Sequence, residues 1–80
     1  MMTKTFYVSS ITFVDENNIT YSAYDVQGLF DTLVVDIDIE EDADEYEIEH
    51  AIKIEMDEYL ENSRCSDYQV YQFDYIEEKY

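Results

Sequence analysis

Eighty residues leave room for one sheet and one helix, so residues 1–80 read as a single domain near the size where one core is only marginally sufficient. Apolar residues at 46% and aromatic residues at 16% call for a folded core and exclude the composition of a disordered acidic tail. Asp and Glu number 21 against four bases, Lys4, Lys53, Arg64 and Lys79; the net charge of −17 excludes direct binding to nucleic acid or an anionic membrane, because both need a basic footprint.

From Thr3 to Val14 the β-branched and aromatic residues predict a strand with apolar groups on both parities, Tyr7, Ile11 and Phe13 on one and Phe6, Val8 and Val14 on the other. The polar pair Ser9-Ser10 marks the place for a bulge or a switch of the buried face. Asp15-Glu16-Asn17-Asn18 is turn chemistry, and strand alternation resumes from Ile19 to Tyr24, so a hairpin is expected. Over Asp25 to Thr32 two signals compete. Val26, Leu29, Phe30 and Leu33 fit helical spacing, whereas Gly28, the only glycine, weakens a helix; a short helical turn or a loop is expected. Leu33 to Glu40 is a strand with one wet face: Leu33, Val35, Ile37 and Ile39 point one way, and Val34, Asp36, Asp38 and Glu40 the other.

Asp42 to Asn62 predicts the single long helix, opened by a capping box of Asp42 and Glu45. Ile48, Ala51, Ile52, Met56 and Tyr59 share its core stripe, with Leu60 at the edge. Glu55 falls in the same stripe and needs a partner or a path to solvent; Arg64 is a candidate partner. Ser63, Arg64 and Ser66 end the helix. Asp67 to Ile76 then reads as a last strand, in which Tyr68, Val70, Gln72, Asp74 and Ile76 alternate with Gln69, Tyr71, Phe73 and Tyr75, and either face suits burial. The order β-β-β-α-β predicts an α+β fold, a small and mainly antiparallel sheet of about four strands packed on one long helix.

One cysteine, Cys65, excludes an internal disulfide and points to a reducing compartment. The opening MMTKTFYVSS has no apolar signal core and no run reaches membrane-span length, so a cytoplasmic location is expected. With one Cys and one His, a Cys/His metal site cannot be assembled, and His50 reads as a surface residue. A calcium loop started at Asp36 would take Asp38, Glu40, Asp42, Asp44 and Glu47 as further ligands, but Glu41 stands where the sharp turn needs Gly and no helix precedes the loop. Neither a metal nor a cofactor is expected. Carboxylate pairs abound, yet a chain this short leaves little room for a substrate cleft, so catalysis is not expected either.

The dominant feature is the run DIDIEEDADEYEIE, Asp36 to Glu49, with nine carboxylates in fourteen residues. Packing like charges so closely is mildly destabilising, and solubility of a small domain asks only for a net charge of about 2–8. A solvated face is the plain reading of such a run; the excess points further, to a basic partner. Asp36, Asp38 and Glu40 recur about 6.6 Å apart along one strand edge. Glu47, Asp57, Glu58 and Glu61 lie on the helix face opposite the core stripe, and Ile54 among them is a candidate apolar anchor. These eight are the predicted partner-binding residues. Charge reversal at Asp57, Glu58 and Glu61 should weaken binding more than the same change at Asp15 and Glu16. Tyr24, Tyr46, Tyr71, Tyr75 and Tyr80 are expected outside the core, and self-association through the aromatic last strand, as a homodimer, would bury several of them.

Together with EMDEYLE that follows, this layout resembles the DNA-mimic proteins of bacteriophages and mobile elements, a class whose members share charge rather than sequence or fold. The resemblance covers the whole chain in composition and carries no diagnostic motif. It implies an inhibitor acting in the host bacterial cytoplasm that offers carboxylates where a basic DNA-binding protein expects phosphates. Targets of the class include restriction and repair enzymes, RNA polymerase and nucleoid proteins; small, basic, two-fold symmetric HU is the first to test. Acidic inhibitors of basic nucleases, antitoxins and loose cation-binding modules share the same composition and stand as the alternatives.

Overall fold

A 13-residue strand, β1 (Met2–Val14), runs through the middle of the sheet and pairs with every other strand. The computed structural model describes residues 2–78, so Lys79 and Tyr80 lie outside the described residues. On one edge of β1, β3 (Leu33–Ile39) pairs from Met2↔Ile39 to Val8↔Leu33, and the short β2 (Thr20–Ser22) pairs with Thr12 to Val14. On the other edge β4 (Gln69–Glu78) pairs from Thr5↔Glu78 to Val14↔Gln69. All three pairings are antiparallel, and α1 (Glu45–Glu61) packs on one face, which makes the fold α+β as expected.

Local chemistry explains the boundaries. The β1–β2 turn closes on Asp15, whose Oδ1 accepts the amides of Asn17 (2.9 Å) and Ile19 (3.1 Å), while the Tyr21 hydroxyl donates to its Oδ2 at 2.8 Å. Asn18 takes the left-handed conformation at φ 63°, which Asn tolerates best among residues with a Cβ. β2 stops at Ser22, short of the expected Tyr24, because the Ser22 amide donates to Asp25 Oδ2 at 2.8 Å and the chain turns there. The following residues form turns rather than a helix. Gly28 sits at φ 103°, and a Cβ on it would come within 3.1 Å of the buried Cys65 sulfur.

Ser9-Ser10 is where the buried face of β1 switches. Phe6 and Val8 are buried before it and Ile11 and Phe13 after it. Ser10 adopts φ 53°, and the register with β4 slips between Ser9↔Asp74 and Thr12↔Gln72. A second slip, between Thr12↔Gln72 and Phe13↔Val70, leaves Tyr71 without a partner on β1. β4 therefore changes parity as well, burying Val70 and half-burying Phe73 and Tyr75 on the same side. Neither parity of β4 could have been buried along its whole length.

The helix starts at Glu45 rather than Asp42. Its cap is Asp44, whose Oδ1 accepts the Glu47 amide at 2.9 Å, because the Ala43 amide is taken by the Glu40 carbonyl (3.2 Å) in the turn leaving β3. Asp42 and Glu45 thus do not form the capping box. At the other end Asn62 caps, with its Nδ2 donating to the Glu58 carbonyl at 3.0 Å. The buried stripe is Ile52, Met56 and Leu60, flanked by half-buried Ile48 and Ala51; it is narrower than expected, so Glu55 is simply exposed and takes no partner from Arg64. Tyr59 is 55% exposed and only rests edge-on against Phe30, at 5.3 Å between ring centres. Phe6, Val8, Ile11, Phe13, Val35, Ile37, Ile39 and Val70 complete the core from the sheet side, each fully buried large residue contributing about 1.5–3 kcal/mol.

Candidate functional site

Two layers have two outer surfaces, and the predicted partner-binding residues divide between them. Val35, Ile37 and Ile39 face the helix, so Asp36 and Asp38 stand on the sheet face turned away from it. Ile52, Met56 and Leu60 face the sheet, so Glu47, Ile54, Glu58 and Glu61 stand on the far side of the helix, all exposed. Glu40 is exposed in the turn just beyond β3. The eight residues therefore do not form one patch. Ile54, Asp57, Glu58 and Glu61 do come together, lining a shallow groove beside Tyr68 and Gln69. Asp36 and Glu58 meet only at the β3 edge, in a groove of about 410 Å³ that they share with Val34, Tyr59 and Glu55. Glu55 was missed as a surface acid because its angular position falls at the edge of the core stripe.

Asp57 has a structural task that its place in the sequence conceals. It is partly buried; its Oδ1 accepts the amide of Val70 at 2.9 Å and its Oδ2 pairs with Lys53 Nζ at 2.5 Å. The first inward residue of β4 is thereby tied to the helix, and Asp57, expected among the partner-binding residues, is engaged within the fold. Asp15, expected to be an indifferent control, organises the first turn. Its carboxyl is held below the usual carboxylate range, first by the Tyr21 hydroxyl and then by the Ile19 amide, and Tyr21 is raised in return. Glu16 alone remains suitable as a control. Tyr75, expected outside, is half-buried edge-on against Phe6 at 5.8 Å, and burial followed by repulsion from Glu49 and Glu45 raises its hydroxyl. Tyr24, Tyr46 and Tyr71 are exposed as expected, Tyr46 stacked on His50.

The remaining carboxylates are displayed rather than neutralised. Among the described residues there are two ion pairs, Lys4–Glu77 at 3.9 Å and Lys53–Asp57, and no charged residue is buried. On the open sheet face, threonines of β1 orient the acids of β3 across the strand pair: Thr5 Oγ1 donates to Asp36 Oδ1 at 2.6 Å, and Thr3 Oγ1 donates to Asp38 Oδ1. β4 adds Glu78, in line with Thr5, and Asp74, in line with Ser9. These two were missed because their face depends on the bulge at Tyr71; the shared parity of Asp74, Ile76 and Glu78 is the signal that pointed to them. The run from Asp36 to Glu47 is distributed over a strand, a turn and a helix, and among the described residues no group of three or more His, Cys, Asp or Glu is arranged to hold a metal. No helix of the described residues is long and apolar enough to cross a membrane. No family model matches the chain, and neither a curated protein nor a solved structure matches it.

Proposed function

We propose that this protein is a DNA mimic that binds and inhibits a basic bacterial DNA-binding protein, in the bacterial cytoplasm, by offering carboxylates in place of phosphates. The observation that carries this reading is uncompensated charge on an elongated body. The molecule measures 36 × 21 × 20 Å and bears a net charge of −17. Duplex DNA of the same length carries about 21 charges, at one per about 1.7 Å of axis. Electrostatic attraction of this size accelerates encounter with a cationic protein and orients it before contact. The protein acts by occupying its target, and no step of the reading requires catalysis.

A nucleoid protein of the HU type, small and basic, is the first target to test. A fluorescent duplex bound to it is titrated with the acidic protein while anisotropy is followed. Displacement of the duplex is expected, with an affinity that falls more than about tenfold between about 50 mM and about 200 mM salt. Simultaneous binding of both ligands by the nucleoid protein, or an affinity indifferent to salt, would refute mimicry of this target.

A further inference from the structure

We infer that the cationic partner docks on the sheet face left open by the helix, and not on the outer face of the helix; the inference rests on the function proposed above and identifies its contact surface. Register places Tyr7 directly between Val34 and Ile76, one from each neighbouring strand. The three are 37%, 57% and 64% exposed. With strands about 4.8 Å apart they form an apolar bar about 10 Å wide on a rigid surface. Acids border the bar on both sides, Asp36 and Glu78 in the next row towards Thr5 and Asp74 in the next row towards Ser9. An apolar centre inside a charged rim is the anatomy of a protein docking site.

The helix side lacks this anatomy. Ile54 is 46% exposed in a groove where the half-buried Tyr68 is its one apolar neighbour, and Asp57 in that groove is already committed to Lys53 and the Val70 amide. On the sheet side the Thr5 hydroxyl already fixes the Asp36 carboxylate, so less side-chain freedom is lost on binding.

Charge selects the occupant. A second copy laid face to face on the bar would set acidic rows against acidic rows in either orientation, because both borders carry carboxylates. The complementary surface has one or two apolar side chains ringed by Lys or Arg. Such a surface fills the bar and neutralises its rim together.

Removing the apolar bar without altering charge tests the inference. The double variant Val34→Thr/Ile76→Thr keeps β-branched residues at both positions, and Ile54→Ser removes the exposed aliphatic side chain on the outer helix face. Each is assayed for displacement of duplex DNA from the HU-type protein, with circular dichroism to verify folding. The sheet variant should bind at least about tenfold more weakly while Ile54→Ser stays within about twofold. The reverse pattern would overturn the docking face and leave mimicry standing, whereas failure of the unaltered protein to displace DNA would refute mimicry of this target. Amide shifts of the labelled protein on adding the nucleoid protein give a second readout: changes centred on Tyr7, Val34 and Ile76 support the inference, and changes centred on α1 overturn it. Sedimentation of the protein alone supplies a third. A dimer abolished by Val34→Thr/Ile76→Thr would mean that a second copy, not a cationic partner, covers the face.

Discussion

Removing the Asp57 carboxylate should destabilise the fold, because its bond to the Val70 amide ties the start of β4 to the helix. In Asp57→Ala the Val70 amide loses its acceptor at the point where the strand leaves the turn, beside a side chain buried in the core. A hydrogen bond to a charged group contributes about 1.5–3 kcal/mol, and the donor left behind in a partly buried place does not recover all of this from water. The Lys53 pair adds little. It is only half-buried, its i,i+4 order runs from base to acid, and such pairs contribute about 0.3–0.5 kcal/mol. Asp57→Ala should therefore cost about 2 kcal/mol, which for a domain of this size lowers Tm by about 8–16 °C. Asp57→Asn retains an acceptor oxygen and should cost about half as much, and Lys53→Ala no more than about 0.5 kcal/mol. Urea unfolding followed by circular dichroism measures all three, with hydrogen exchange at the Val70 amide as the local probe. Equal losses in Asp57→Ala and Lys53→Ala, or unchanged protection at Val70, would refute the assignment. The result also bears on partner binding, since lost affinity on altering Asp57 cannot be read as a lost contact until stability has been measured.

Three further outcomes follow from the turns, the loops and the tyrosines. Asp15 has a folded pKa below its unfolded one, so its stabilisation is present above the unfolded value of about 3.9 and is lost as pH falls through the folded value; the gap in urea midpoint between the native protein and Asp15→Asn should shrink between pH 7 and about pH 3, and a constant gap would exclude the effect. Tyr21 and Tyr75 have raised pKa values, so their contribution is complete below the unfolded value of about 10 and is lost as pH rises through the folded values; the Phe variants should lose less stability on alkaline titration. Gly28→Ala combines a φ of 103° with a Cβ 3.1 Å from Cys65 Sγ and should destabilise by about 1–3 kcal/mol. Cys65→Ala in the same chain should recover only the part due to contact, and a Gly28→Ala loss below about 0.5 kcal/mol would exclude the strain.

What the sequence discloses depends on whether a residue's surroundings are local. β3 was legible because a period of two persists from Leu33 to Ile39, and the helical stripe was legible because Ile52, Met56 and Leu60 recur every four residues. The start of the helix was not, since Asp42 and Asp44 are equally good caps and a turn from Glu40 to Ala43 decides between them. β4 was harder still. Its buried parity changes at Tyr71, where a bulge answers the one at Ser10, and neither slip can be read from one strand alone. The site met the same limit. Periodicity assigns each acid to the wet side of its own element, but which outer surface of the molecule that becomes is settled only when the layers pack. Asp57 is the clearest case: from its helix it looks free, and its partner Val70 lies 13 residues away.

The central position of β1 has a consequence for how the molecule is made. Of the four strands, the first to be made is completed last, because Thr5 waits for Glu78 and Val14 for Gln69. Until β4 arrives, one edge of the central strand is open, and a nascent or truncated chain carries an adhesive ribbon of unpaired backbone. Contacts this distant in sequence slow folding. Chain order, rather than the native sheet, imposes the delay. Thr5 and Glu78 are cross-strand neighbours, so a permuted chain in which a linker carries β4 into β1, opened at the exposed Glu41-Asp42 turn, would read α1, β4, β1, β2, β3. β4 would then adjoin the strand it pairs with, as β2 already does, and the same sheet would assemble sooner.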